Sequence, residues 1–220
     1  MSEHATLSPS AFGRWSKCPG SLRLSKGLPN VSSEAAQWGT DAHQILEDMV
    51  NQWFNPNEGM DTHDFVDYAD KYEVAKVAFN YMVERYNEAD KAGINPAVMS
   101  EQRVYLEWCT GRNDLWGSGD IIISTDEWIE IIDLKAGSGL VVEPTSGQLK
   151  IYGLGAADLH NSKPTEVICT IVQPRIPHDD GLIRSEYYTY DWLMDWNNKV
   201  LIPAIEATNG DDAPLNPGRS

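Results

Sequence analysis

Two apolar segments joined by a tight turn constrain the fold of this chain more than any other feature. The first ends in Ile121-Ile122-Ile123 and the second is Trp128-Ile129-Glu130-Ile131-Ile132, with Ser124-Thr125-Asp126-Glu127 between them. Short β-branched runs on both sides of a polar turn predict a pair of antiparallel strands. The apolar content of the second run indicates that this strand is substantially buried.

Charged residues stand where the apolar runs stop. Asp120 and Asp133 are thirteen positions apart, and Lys135 follows Asp133 by two. Side chains two apart on a strand share a face. Two carboxylates suit a hard cation such as Mg²⁺, and a neighbouring lysine can hold a water or offset phosphate charge. A weak surface ion pair is the alternative, but the charges come where burial ends, which favours metal-dependent phosphodiester hydrolysis.

A second candidate group lies upstream on a predicted helix. Thr40 or Asp41 is the expected N-cap, and the helix continues to about Trp53. His43 and Glu47 are four residues apart, so they share one face and can hold or position a metal. The alternative is a half-buried histidine that bonds only to Glu47.

The third candidate group lies on a helix predicted over 146–160. Gln148 and Tyr152 are four residues apart on one face, and Lys150 adds a positive charge nearby. All three side chains can contact a phosphate. Taken alone, this segment also fits an ordinary amphipathic helix with a buried tyrosine.

The ordered set resembles a known nuclease superfamily. Gly39-x-x-x-His43-x-x-x-Glu47, Gly117-x-x-Asp120, Asp133-x-Lys135 and Gln148-x-x-x-Tyr152 resemble the motifs of the PD-(D/E)XK nucleases, and most closely the RecB-type branch with its Cas4-like and phage recombination exonucleases. The opening segment 7–21 and Ile171-Val172-Gln173-Pro174-Arg175 are similar to phage and prophage proteins of the DUF2800 family. The resemblance spans Leu7 to about Trp196.

The resemblance implies an architecture and a set of roles. The fold would be mixed α/β, a PD-(D/E)XK core with a central mixed sheet flanked by helices. Mg²⁺ or Mn²⁺ would be the cofactor, and Lys135 would orient the attacking water. Glu101, at the start of the first strand, is not expected to be a ligand. The metal ligands would be His43, Asp120, Asp133 and the Leu134 carbonyl, the catalytic residues Asp120, Asp133, Lys135 and Glu47, and the DNA contacts Gln148, Tyr152, Lys150, Arg14 and Lys17.

The cysteines limit the cofactor. Cys18, Cys109 and Cys169 form an odd and sparse set, which is typical of a reducing compartment. Cas4-like relatives hold an iron–sulfur cluster with one N-terminal cysteine and a C-terminal trio. Cys18 matches the first position and the trio is absent, so a cluster is not expected. The chain is then either naturally free of a cluster or a truncated form, and Cys18 is expected to be a small buried residue.

Net charge is the main argument against a nuclease. The formal charge is −16, which repels a polyanion. Residues 1–30, however, carry four basic side chains and one acidic one, so they form a local basic arm. We expect low intrinsic DNA affinity, remedied by a recombinase, annealing or single-strand-binding partner, or by a homo-oligomer that closes around DNA.

Length predicts a single domain. The resemblance implies that it is a PD-(D/E)XK nuclease domain over 1–210 with an N-terminal helical arm, followed by a polar tail over 211–220. No apolar run is long enough for a membrane span, and we expect a phage or prophage protein in the bacterial cytoplasm. The expected activity is a metal-dependent DNA exonuclease that serves recombination or DNA processing. The alternatives are a non-cleaving subunit that binds DNA ends or a partner, and an acidic DNA mimic.

The remaining patterns predict the order of elements along the chain. Loops are expected over 26–33 and 55–62. A first short helix is predicted after Ser8-Pro9, within 8–26, and further helices over 40–53, 65–91, 146–160 and 191–207. Strands are predicted over 99–108, 115–124, 127–134, 166–173 and 185–190.

Overall fold

The protein is described here from a computed structural model that covers residues 5–28, 33–57, 65–159, 163–216 and 218. A five-stranded sheet lies at its centre, with strands in the order β1-β2-β3-β4-β5. β3 and β4 are parallel, and the other neighbours are antiparallel. The predicted mixed α/β fold is therefore confirmed. The strands are β1 Ala97–Tyr105, β2 Trp116–Ser124, β3 Trp128–Leu134, β4 Glu166–Val172 and β5 Ile183–Thr189.

The helices depart most from prediction at the two ends of the chain. The short helix predicted within 8–26 is observed as two shorter ones, Phe12–Trp15 and Ser21–Ser25, with non-helical residues over 16–20 between them. Near the C-terminus, a π-helical turn over Asn197–Leu201 separates two helices, because Pro203 has no N–H to donate and crowds the preceding turn. A 3₁₀ turn over Pro9–Ala11 precedes α1 Phe12–Trp15, α2 Ser21–Ser25, α3 Glu34–Phe54, α4 Tyr68–Ala92, α5 Glu107–Thr110, α6 Gly147–Leu159, α7 Tyr190–Trp196 and α8 Ile202–Ala207.

Apolar cores cover both faces of the sheet. Ile122 and Ile131 point to the core that α6 covers, while Ile121 and Ile132 point to the core formed by α3 and α4. The continuous isoleucine runs are explained by this burial on two sides, since alternate residues of a strand serve opposite faces.

The start of α3 corrects one prediction. The helix begins at Glu34, and Ser33 caps it by accepting a hydrogen bond from the Ala36 N–H at 3.2 Å. The N-cap predicted at Thr40 or Asp41 is wrong, because both residues lie inside the helix. Asp41 is instead buried and accepts a hydrogen bond from Lys71 Nζ of α4 at 2.6 Å. Asp41, which its sequence pattern assigned to a helix end, instead links α3 to α4.

The alternation of β1 breaks in its middle. Met99 and Val104 both pack against the core under α6, although they are five residues apart and a regular strand would send them to opposite faces. Glu101 lies between them with a left-handed φ of 46°. It stands opposite Asp120 of β2, and the residues on either side of this position are paired in register. The strand predicted over 99–108 ends at Tyr105 and gives way to the short helix α5.

The two ends of the chain meet. The Gly20 N–H donates to the Pro214 carbonyl at 2.9 Å, and the Asn216 N–H points at Cys18 Sγ at 3.3 Å. Cys18, which was expected to be a small buried residue, is half-buried. The predicted loops over 26–33 and 55–62 fall partly outside the described residues. Within the described ranges, none of the helices combines the length and apolar character needed to cross a bilayer.

Candidate metal centre

The site forms where β2 and β3 separate. The two strands pair only from Ile121 to Ser124 on β2, opposite Ile132 to Ile129 on β3. Asp120 and Asp133 are the first residues beyond this pairing. β3 stays bound to β4, since the Lys135 N–H donates to the Val172 carbonyl at 2.8 Å. The strands therefore diverge as a fork with one carboxylate on each branch.

Three potential ligands converge at this fork. His43 Nδ1 of α3 lies 3.1 Å from Asp120 Oδ1. Glu101, from the distorted part of β1, joins them, and one ligand atom from each of the three residues lies within 4.8 Å of the others. Its position makes Glu101 a candidate ligand, which the sequence did not lead us to expect. Nothing in the sequence marks this residue, because a left-handed φ at a glutamate has no compositional signature.

A chain of polar contacts runs beside the ligand group. Lys135 Nζ lies 2.7 Å from Asp133 Oδ2 and donates to Gln148 Oε1 at 3.1 Å. The Gln148 amide in turn donates to Asp133 Oδ1 and to the Tyr152 hydroxyl, both at 3.2 Å. The structure thus brings together the strand motif and the α6 motif that the sequence singled out separately. It fixes the lysine ammonium next to the carboxylates.

Opposing effects set the ionisation of the ligand group. Burial alone would lower the pKa of His43, but the adjacent Asp120 carboxylate outweighs it and raises that pKa to about 9. Burial would raise the pKa of Asp120, and the charges of His43 and Lys135 reverse this and lower it. Without a cation, Asp120 is therefore ionised at neutral pH and His43 carries a proton.

The neighbouring carboxyl groups behave differently. Burial and the repulsion of Asp120 raise the pKa of Glu101 to about 7. Burial raises the pKa of Asp133 to about 6, although Lys135 opposes the shift. Lys135 has a raised pKa because the attraction of Asp133 exceeds the cost of burial. Such crowding of negative charge is relieved when a cation binds, and strongly shifted groups in one place mark a candidate functional site.

Other predicted residues lie at varying distances from this group. Glu47 bonds to Gln44 at 3.1 Å and acts on Glu101 only through its charge. The backbone N–H of Leu134 donates to Asp120 Oδ2 at 2.7 Å. Lys150 points away from Gln148, into a cage formed by Tyr188, Trp192 and Trp196, and donates to the Thr145 carbonyl. Arg14 and Lys17 are exposed on and just after α1, and Arg14 donates to Ser25 Oγ at 2.5 Å.

The donor set fits a divalent cation of the Mg²⁺ or Mn²⁺ type. Two carboxylates supply hard oxygen ligands, and the imidazole nitrogen is a donor that Mn²⁺ accepts more readily than Mg²⁺. His43 would have to lose its proton to bind, so cation and proton compete for the same nitrogen. The structure thus supports the coarse prediction of a metal site, with Glu101 added to it.

Comparison with known families places the whole chain. Residues 4–220 match the family described as "Protein of unknown function (DUF2800)". The chain belongs to this family, as the similarity of its opening segment and of residues 171–175 indicates.

Proposed function

We propose that this DUF2800 protein is a Mg²⁺- or Mn²⁺-dependent DNA exonuclease of the PD-(D/E)XK class. One observation carries the proposal: a group of potential metal ligands at the β2–β3 fork lies beside a lysine held between a carboxylate and an amide. This combination offers both a cation site and a fixed positive charge for a phosphate.

Different residues at the fork would bind the cation and stabilise the phosphate. His43, Glu101 and Asp120 would hold the cation, and Asp133 would complete the negative charge around it. A bound cation supplies a water of lowered pKa and neutralises charge on the phosphate. Lys135, kept charged by Asp133, would orient that water and stabilise the charge that develops on the phosphate oxygens. Gln148 contacts both Asp133 and Lys135, and the buried Tyr152 holds Gln148. The resemblance supports a contact of both side chains with the DNA backbone.

The resemblance to phage recombination exonucleases supports a phage or prophage role in recombination or DNA processing in the bacterial cytoplasm. The acidic surface supports loading onto DNA by a recombinase, annealing or single-strand-binding partner, or by a homo-oligomer. Attack at DNA ends rather than within the strand rests on the resemblance alone.

The formal charge of −16 favours a second candidate, an acidic DNA mimic. A mimic needs only an acidic surface. It gives no reason to bury Asp133 and hold it with a lysine and a glutamine. Mn²⁺ binding that depends on His43 and Asp120 separates these readings. Cleavage then separates a nuclease from a non-cleaving subunit.

The test is digestion of end-labelled linear duplex and closed circular DNA with Mg²⁺, Mn²⁺ or EDTA. The wild type is compared with Asp133→Asn and with Asp126→Asn, an exposed aspartate in the β2–β3 turn that serves as the matched control. We expect metal-dependent loss of linear DNA alone, absent in Asp133→Asn and intact in Asp126→Asn. Equal cleavage by all three proteins, or by none, overturns the proposal. Loss of the circle would replace exonuclease with endonuclease.

A further inference from the structure

Two arginines stack on tryptophan rings near the metal centre. Arg175 Cζ, in the segment after β4, lies 4.0 Å from the ring centroid of Trp38 on α3. Arg103 Cζ of β1 lies 4.2 Å from the ring centroid of Trp116 on β2. Both distances are those of a guanidinium on an aromatic face, an arrangement that fixes the plane of the cation.

The two stacks lie on opposite flanks of the open fork. Arg175 Nη1 donates to the Ala136 carbonyl at 3.3 Å, one residue beyond Lys135. Arg103 pairs with Ser118, two residues before Asp120 on β2. Because β2 and β3 are antiparallel, residues before Asp120 and residues after Asp133 leave the paired region in the same direction. At about 3.3 Å per strand residue, each stack lies roughly 7–10 Å from the carboxylates along the strands.

Neither guanidinium is used by a carboxylate. Within the described ranges, Arg103 and Arg175 form no ion pair, whereas Arg85 binds Glu130 and Arg112 binds Asp114. The contrast is informative in a chain with 33 acidic and 17 basic residues, where acidic partners are plentiful. Both residues are exposed, and Arg175 uses Nη1 for the Ala136 carbonyl. A planar guanidinium with a free edge suits bidentate contact with phosphate.

We propose that the Arg103–Trp116 and Arg175–Trp38 pairs bind phosphates of one DNA strand on the two sides of the bond that the metal centre attacks. This inference deepens the proposed function and rests on it. It explains how a protein of net charge −16 would hold a polyanion beside a group of carboxylates, because two cations flank that group. It also gives a role to Arg175, which the nuclease motifs leave unassigned.

Strand binding is measured apart from cleavage. In an Asp133→Asn background with Mg²⁺, fluorescence anisotropy of a labelled oligothymidine is recorded over a series of KCl concentrations. Arg175→Gln, Arg103→Gln and the double variant are compared with Lys76→Gln. Lys76 is a cation above the Tyr72 ring of α4 that pairs with Glu73, so it is a matched control away from the fork.

Each arginine variant is expected to weaken binding about tenfold at low salt. The slope of log affinity against log salt should fall by about 0.7 per lost phosphate contact and about 1.4 in the double variant. Arg175→Lys should keep the slope and lose affinity, because the charge remains and the planar fork does not. Lys76→Gln should change neither quantity.

Affinity and salt slope equal to those of Lys76→Gln in both arginine variants would overturn the inference. Displacement of the strand by polyglutamate of the same length, with the same dependence on both arginines, would assign the two stacks to acidic peptides instead. If the wild type cleaves no DNA but its strand binding still depends on the arginines, the proposed nuclease activity is refuted and the proposed strand-binding site is retained. If the wild type cleaves DNA and its strand binding does not depend on the arginines, the nuclease activity is retained and the strand-binding site is refuted.

Discussion

The side chain of Asp120 accepts a hydrogen bond from the backbone N–H of Leu134 at 2.7 Å. A carboxylate thus takes a backbone donor on β3 just past the last paired residues of β2 and β3. The other oxygen of Asp120 faces His43. Asp120 therefore links β2 to the end of β3 and is also one of the candidate cation ligands.

Replacing Asp120 by asparagine should separate its two roles. Asparagine can still accept the Leu134 N–H bond through its amide oxygen, so we expect the fold to be kept. Loss of the charge should lower cleavage by at least about 100-fold, a typical effect of removing one electrostatic contact in a catalytic site. Single-turnover digestion of linear DNA, with Asp126→Asn as control, measures this. Cleavage at the wild-type rate would remove Asp120 from the catalytic group.

Lys135→Ala should abolish cleavage by a different route. Mn²⁺ affinity should stay within a few fold of the wild type, because the ligand group is intact, while the rate falls by about 100-fold or more. Isothermal titration with Mn²⁺ and the digestion assay give the two quantities. A loss of metal affinity as large as the loss of rate would mean that Lys135 only shapes the cation site.

Glu101 offers a test of function against stability. A left-handed backbone costs a non-glycine residue about 1 kcal/mol, and glycine does not bear this cost. Glu101→Gly should therefore weaken Mn²⁺ binding and leave the metal-free protein as stable as the wild type or more so. Glu101→Gln, which keeps the strain, should lose affinity without the gain. Urea unfolding in EDTA compares the two, and a less stable glycine variant would contradict the expected strain relief.

The metal-free protein should become less stable as pH rises. His43, Glu101 and Asp133 all have folded-state pKa values above their usual ones, at about 9, 7 and 6. The folded state thus binds more protons than the unfolded state, so the free energy of unfolding falls between about pH 4 and 9. For His43 the contribution is complete below pH 6.5 and disappears as pH rises through 9. It is at most about 3 kcal/mol.

Urea midpoints measured in EDTA at several pH values test this slope, and His43→Gln should flatten its alkaline part. Saturating Mn²⁺ should reverse the loss, because the cation replaces the protons. A stability that rises with pH in EDTA would show that the crowding of charge at the fork is weaker than the geometry indicates.

A buried network away from the fork should dominate stability. Glu130 of β3 is fully buried and accepts hydrogen bonds from Tyr81, Arg85 and Thr170. Glu130→Ala removes the acceptor that these donors share, and leaves Arg85 only Glu88 and Thr170 only Ser185. It should lower the free energy of unfolding by about 3–5 kcal/mol. The neighbouring exposed Glu127→Ala should change it by less than about 1 kcal/mol. Urea denaturation of both variants checks the difference.

The hairpin and its charged ends are the part of the site that sequence predicts well. The two-residue repeat of a strand places Asp133 and Lys135 on one face, and the 3.6-residue repeat of a helix does the same for Gln148 and Tyr152. Both relations depend only on nearby residues. The same reasoning places His43 on a helix but assigns that helix the wrong start. Asp41 resembles a cap in its chemistry, and its true partner, Lys71, is thirty residues away.

Glu101 shows why the rest was out of reach. Its approach to Asp120 depends on a backbone reversal inside β1, and no residue type in that segment signals one. The expected proximity of Lys150 to Gln148 is not observed, for a related reason. Two positions along a helix turn a side chain to nearly the opposite face, so Lys150 diverges from Gln148 into the aromatic cage. Net charge is uninformative about this site, since it averages over the chain and does not show local cations such as Arg103 and Arg175.

The parallel pairing of β3 with β4 also carries a consequence for the order in which the protein is made. Asp133 and Lys135 are held against Ile171 and Val172, which the ribosome adds almost forty residues later. Until β4 has been synthesised, the segment that carries Lys135 lacks the backbone partner that it binds in the folded protein. The candidate metal centre therefore cannot be complete until β4 has been synthesised.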